Sequence, residues 1–151
     1  MRGGDWDGER IPPAFWAQSR ALTFRGKNGQ DFLARLEAAL VAWPSKKLAY
    51  EELAPMRWTD DDEQEFVGEG CAIGVLAINS GVAPDAIPHE DEGMYDTCTL
   101  GQKLGATWVM AWTVAQANDA NRRETPAERY ERVLRWVRAC REKREYVSAN
   151  N

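Results

Sequence analysis

Apolar residues recur at helical spacing in several stretches of this chain. Phe32, Leu33, Leu36, Leu40 and Trp43 fall three or four residues apart, with Asp31, Arg35 and Glu37 between them. That period marks one face of an α-helix, so the pattern predicts an amphipathic helix over residues 30–43, ended by Pro44. Asn28-Gly29 ahead of it reads as a turn. Leu48, Tyr50 and Leu53 allow a short second helix over 49–54, and residues 55–69, rich in charge and poor in apolar side chains, read as a solvated loop. An unbroken apolar run follows, Cys71-Ala72-Ile73-Gly74-Val75-Leu76-Ala77-Ile78. Its β-branched content suits a buried strand. Gly70 and Asn79-Ser80-Gly81 bracket it like helix ends, and no partner strand is evident, so a buried helix is preferred with the strand as alternative.

Residues 82–98 hold Pro84, Pro88 and five acids and read as an irregular connection. Leu100, Leu104, Trp108, Ala111, Trp112 and Ala115 then predict one long helix, stopped by residues 118–121. From Ala106 to Ala115 it has no charge, which predicts enclosure on most sides. The last helix has the clearest start. Thr125 is a capping residue, Pro126 suits the first helical position, and Glu128 stands three residues after Thr125. Tyr130, Val133, Leu134, Trp136, Val137 and Cys140 carry one apolar stripe to about residue 144. The expected fold is all-α: a compact four- to five-helix single domain over 14–145 with long irregular connections. Its first element is a short helix over 14–22. Residues 1–13, with Gly3-Gly4 and Pro12-Pro13, form a loose arm, and 146–151 a flexible tail.

At 151 residues, 44% hydrophobic and 28% charged, the chain suits one sizeable core and is not a disordered composition. No apolar run approaches the roughly 20 residues that cross a bilayer, and Met1–Arg10 is polar and mixed in charge, unlike a signal peptide. The three cysteines, Cys71, Cys98 and Cys140, have no metal-knuckle spacing; reduced thiols in a cytoplasm are the expectation, with Cys71 and Cys140 in the core.

Charge divides unevenly. The formal net charge is -5, yet residues 122–145 carry nine basic side chains against five acids, leaving -9 on the rest. Acids concentrate at Asp60–Glu69 and Asp85–Asp96. A basic helix beside acidic loops is the result, and the net sign disfavours general nucleic-acid binding.

Candidate chemistry is sparse. The single histidine, His89, has no nameable catalytic partner, and no serine or cysteine stands in a nucleophile setting, so no catalytic residue is expected. Asp60-Asp61-Asp62-Glu63 lacks the alternation and glycine of a calcium loop, so neither metal nor cofactor is expected. Arg25-Gly26-Lys27-Asn28-Gly29-Gln30 sets two cations and two glycines just before a helix start, where backbone N–H groups favour anions. Arg25, Lys27 and Gln30 are therefore candidates for a phosphate-bearing ligand, although the spacing is not that of a Walker loop. Arg129, Arg132, Arg135 and Arg138 drift around the terminal helix, where Glu128 and Glu131 are placed to pair with them; a solvated, self-paired face ranks above a nucleic-acid contact. Of seven tryptophans, Trp43, Trp108, Trp112 and Trp136 fall on core faces, whereas Trp6, Trp16 and Trp58 lie in the arm or loops as candidate anchors for a protein partner.

Phe24-Arg25-Gly26-Lys27-Asn28-Gly29-Gln30-Asp31-Phe32-Leu33 resembles the opening of a family of small uncharacterised proteins of proteobacterial genomes, prophages and phages. Further resemblances follow in order: Ala39-Leu40, Pro44, Lys47-Leu48, Gly70-Cys71-Ala72-Ile73-Gly74, Asn118-Asp119, and Glu124-Thr125-Pro126-Ala127-Glu128-Arg129-Tyr130 with Arg132 and Trp136-Val137. The chain departs from the pattern in its acidic 55–69 stretch, in its 82–98 connection, and in Tyr130, where the family has tryptophan. The resemblance implies a setting in bacterial mobile elements and no reaction.

Together these features lead to the expectation of a non-enzymatic phage or mobile-element protein in the bacterial host cytoplasm. It would bind a host protein and inhibit a defence or gene-expression system. Asp60, Asp61 and Asp62 would meet a basic groove, and Trp58 would fill a pocket. A small enzyme or ligand-binding protein using the Arg25–Gln30 turn ranks second, and a nucleic-acid binder using the terminal helix third. No membrane partner is expected.

Overall fold

The computed structural model describes residues 23–58, 60–61, 63–88 and 94–143. The arm, the 14–22 helix, His89 and the tail lie outside the described residues. Five α-helices have both ends within them: α1 (Lys27–Ala42), α2 (Ala72–Asn79), α3 (Tyr95–Lys103), α4 (Trp108–Asn118) and α5 (Pro126–Lys143). Two three-residue strands, β1 (Met56–Trp58) and β2 (Gln64–Phe66), and a 3-10 turn at Pro84–Ala86 complete the elements. The all-α class and the single shared core are as the sequence pattern predicts. Among the described residues no helix is long and apolar enough to cross a membrane.

α1 buries Phe32, Leu33, Leu36 and Leu40 of the predicted stripe, with Ala39 beside them, and packs on α5 and α2; Trp43, the last of the stripe, caps its end. Its start lies three residues earlier than the pattern suggested. Asn28-Gly29 is not a turn but part of the first helical turn. A short helical turn at 23–25 crosses directly over Gly29; a Cβ there would sit 2.3 Å from the Thr23 carbonyl oxygen. Glycine serves close approach here.

α2 is the apolar run, and Ala72–Ala77 are all buried, so helix is the correct alternative. The preceding segment lies against it. Its Leu53 carbonyl would be 2.0 Å from a Cβ at Gly74, which leaves room for no other residue. Residues 49–54 form no helix: Ala49 N–H donates to the Gly70 carbonyl (2.9 Å) and Cys71 N–H to the Glu52 carbonyl (2.8 Å). Backbone bonds across the fold replace bonds along a helix, and they bury Leu48, Leu53 and Ala54.

The long helix predicted over 100–115 is two helices. Gly105 has φ +95°, a left-handed conformation that breaks the helix at little cost to glycine, and Thr107 restarts it by accepting the Met110 N–H (3.1 Å). α3 folds back on α4 so closely that a Cβ at Gly101 would meet Ala111 Cβ at 2.4 Å. Trp108 lies outside the core, 41% exposed, and Trp112 is half-buried. Trp43, Trp136, Cys71 and Cys140 are buried as expected; Cys98 is buried too, and none of the three cysteines forms a disulfide among the described residues.

α5 begins with a reciprocal cap. Glu128 N–H donates to Thr125 Oγ1 (3.1 Å) and Thr125 N–H to Glu128 Oε1 (2.9 Å). The Tyr130, Val133, Leu134, Trp136, Val137, Cys140 stripe is buried throughout. Trp136 meets Phe24 edge to face at 6.0 Å. Tyr130 Oη donates to the Leu40 carbonyl (2.7 Å), which also accepts the Trp43 N–H (3.1 Å) at the end of α1.

Candidate functional site

The residues 55–69, expected as a plain loop, contain an antiparallel hairpin. Met56, Arg57 and Trp58 pair with Phe66, Glu65 and Gln64 respectively. Trp58 therefore stands at the hairpin's distal end, two residues before Asp60 and Asp61, which are exposed like Glu63 and Glu65. Asp62 lies outside the described residues. An isolated three-residue pair is marginal in water, so its base must be held. Val67 N–H donates to the Pro55 carbonyl (2.7 Å), Trp43 Nε1 donates to the Gly68 carbonyl (3.1 Å), and Ser45 Oγ to the same oxygen (2.5 Å). The Phe66 ring meets the Trp43 ring edge to face at 6.0 Å and remains 54% exposed. The hairpin thus joins a cluster of acids to an uncovered aromatic on a fixed base. What the described residues offer here is Coulombic attraction for cations plus apolar contact.

The Arg25–Gln30 candidates do not converge. Gln30 turns inward, its Nε2 donating to the carbonyls of Phe24 (2.6 Å) and Cys140 (3.3 Å). Lys27 bonds Asp31 one turn on (2.8 Å), which holds the Lys27 ammonium above its ordinary pKa, and Arg25 is exposed. Beside Gln30 runs an open groove of about 480 Å³ between α1 and α5, lined also by Asp31, Glu37, Arg138, Arg141 and Glu142. Its guanidinium groups are occupied: Arg138 Nε donates to Glu37 Oε2 (2.8 Å), and Arg141 also bonds Glu37. The Arg138 hydrogen bond chiefly, with help from Arg141 and against partial burial, holds the Glu37 carboxyl below its ordinary value. Three acids and two bases around the groove leave nothing to draw an anion.

The terminal helix is not a uniformly solvated face, and its charges do not pair as expected. Arg129 is 2% exposed. It donates to the carbonyls of Leu48 (3.2 Å) and Asn121 (3.0 Å), and its guanidinium lies 5.4 Å from the Tyr50 ring centre. Arg132 grips Glu124 with two bonds (2.7 and 2.9 Å) and donates to the Ala117 (2.7 Å) and Asn118 (3.2 Å) carbonyls at the end of α4. Glu128, expected to pair with arginine, is spent on the cap; the Thr125 bonds lower its pKa. Arg135, Arg138 and Glu131 are exposed.

Sequence reasoning missed a third cluster entirely. Asn118 is fully buried; its Oδ1 accepts the Ala72 N–H (3.0 Å), and its Nδ2 donates to the Ala49 carbonyl (2.8 Å) and to Asp119 Oδ1 (2.9 Å). Asp119 Oδ1 also accepts the Glu51 N–H (3.0 Å). Burial pushes the Asp119 carboxyl above its ordinary value despite these bonds. The Asn118-Asp119 and Glu124–Arg132 motifs are therefore one polar knot that ties four segments together. Every described partner is internal, which makes the knot architectural. No three His, Cys, Asp or Glu side chains among the described residues are grouped as metal ligands.

Compared with family models, with curated proteins and with solved structures, the chain finds no match.

Proposed function

We propose that this is a non-enzymatic binding protein of a phage or mobile element, acting in the bacterial host cytoplasm on a host protein through its acidic hairpin. The observation that carries this reading is the anchored hairpin, with Asp60 and Asp61 exposed past its distal end and Phe66 exposed at its base. A rigid base limits the ordering cost of binding, the acids speed encounter with a basic surface, and the aromatic ring supplies an apolar anchor. The mobile-element setting rests on the resemblance of the Phe24–Leu33, Gly70–Gly74 and Glu124–Arg132 motifs. Inhibition of a defence or gene-expression system follows from that setting: such systems present basic, nucleic-acid-binding grooves, which an acidic hairpin would occupy.

The test is affinity capture from a host lysate with wild type and with the Asp60→Lys/Asp61→Lys/Glu63→Lys variant, read by mass spectrometry. The reading expects a protein with a basic surface that is retained at low salt by wild type alone. Equal capture by both, or capture only of a small phosphate compound, would overturn it.

A further inference from the structure

The hairpin leaves backbone groups open as well as side chains. Val67 N–H bonds the Pro55 carbonyl, so residues 55 and 67 form a hydrogen-bonded pair. Antiparallel ladders alternate bonded and non-bonded pairs, which makes Arg57 and Glu65 the next bonded pair in the register. Met56, Trp58, Gln64 and Phe66 therefore turn their N–H and C=O groups away from the neighbouring strand. On the β2 side, no hydrogen bond reaches the Phe66 N–H or carbonyl among the described residues. β1 and β2 pack chiefly on each other, and the Phe66 side chain is exposed. The edge ends at Gly68, where φ is +72° and the carbonyl is taken by Trp43 and Ser45. The outer side of β2 is thus a short, open sheet edge set among acids.

We propose that this edge takes up one extended segment of the partner as a third strand, and that the segment alternates basic and apolar residues. The proposal rests on the hairpin contact proposed above and specifies its mode. Open edge groups are matched by another extended backbone. Charge selects the chemistry of that backbone's side chains: residues 60–69 hold six acids and no base. A second copy would set those acids against themselves, whereas a strand bearing lysine or arginine gains by the approach. The β1 edge lacks this bias, since Arg57 stands in it opposite Glu65. Side chains alternate across a strand, so Glu65 and Phe66 lie on opposite faces of β2. An added strand meets an acid on one face and an aromatic ring on the other, which is the alternation proposed for the incoming segment. Only residues 64 and 66 of β2 face outward, so the backbone bonds are few and each counts in the affinity.

NMR titration of the isotope-labelled full chain with a synthetic peptide of alternating lysine and valine, up to about 1 mM, tests this. In the free chain the Phe66 amide should exchange rapidly with solvent and the inward-facing Glu65 amide slowly. The peptide should shift and protect the Gln64 and Phe66 amides. Only alternate N–H groups of an added strand face β2. Methylating the peptide's backbone nitrogens at its valines alone, or at its lysines alone, should therefore weaken binding about tenfold or more for one set and spare the other. Gln64→Pro removes one outward N–H and no inward one, and should weaken binding of the unmethylated peptide by a similar factor with the helical amide spectrum unchanged. Equal binding of all three peptides would overturn strand addition while leaving an electrostatic hairpin contact standing, so the two proposals fail separately. A Phe66 amide already protected in the free chain, protection that rises with protein concentration alone, or no binding of any peptide would also overturn strand addition.

Discussion

Replacing Asn118 with alanine should destabilise the protein far more than its position at a helix end suggests. Cys71, the residue before α2, provides no side-chain cap, and Asn118, from a helix 46 residues away in sequence, takes that role by accepting the Ala72 N–H at 3.0 Å. The same side chain covers the Ala49 carbonyl at 2.8 Å. Alanine removes both partners and leaves a buried donor and a buried acceptor behind, each costing about 1–3 kcal/mol because water cannot replace the lost bond. The side chain is fully buried, so a small cavity adds to this, and the sum is about 3–5 kcal/mol. That is a large part of the roughly 5–15 kcal/mol holding a domain of this size together. Urea unfolding followed by circular dichroism measures it. With a slope of about 2 kcal/mol/M, the midpoint should fall by about 1.5–2.5 M at unchanged slope. Gln116→Ala, two residues away but exposed, should shift stability by less than about 0.5 kcal/mol. A loss under about 1 kcal/mol for Asn118→Ala would refute the tertiary cap.

Three further outcomes follow from the same geometry. Gly74→Ala sets a Cβ on the Leu53 carbonyl and should cost about 1–3 kcal/mol or more by thermal or urea unfolding, the range of an overpacked core. Thr125→Ala removes half of the α5 cap, which should cost about 1 kcal/mol in the same assay. Asp119→Asn concerns pH. Burial raises the folded-state pKa of Asp119 above the ordinary 3.8, so ionising it costs stability, and that cost grows as pH rises from 3.8 through the folded value. Asparagine keeps the Oδ1 acceptor for Glu51 and Asn118 without the charge. The variant should therefore be at least as stable as wild type at pH 7, with the difference vanishing below about pH 4 in a pH series of urea midpoints. A wild type that is more stable than Asp119→Asn at pH 7 would contradict this.

What could be read in advance was local. α1 and α5 announce themselves because one apolar stripe, uninterrupted by core-facing charge, repeats every turn, and Thr125, Pro126 and Glu128 carry their capping chemistry within four residues. α2 is legible from the glycine, asparagine and serine that bracket it. The break between α3 and α4 is not, because the apolar period runs straight through Gly105 and only the positive φ reveals the turn. Arg129 reads as surface on a polar helix face; its burial depends on Tyr50 and on the Leu48 carbonyl, 81 residues away. Trp108 misleads for the converse reason, since an uncharged helix predicts enclosure, whereas among the described residues Trp108 is 41% exposed. Within the candidate site, Trp58, Asp60 and Asp61 are legible as aromatic and acidic, but the hairpin beside them rests on Trp43 and Ser45 reaching the Gly68 carbonyl, a contact no local pattern encodes.

The central claim is that the acidic hairpin touches the partner. A photo-crosslinking amino acid placed at position 61, activated in the bacterial host, tests it at the contact itself, with position 131 on the exposed side of α5 as comparison. The account predicts one discrete adduct with a basic host protein from position 61 and none from position 131. An adduct from position 131 with none from position 61 would contradict it.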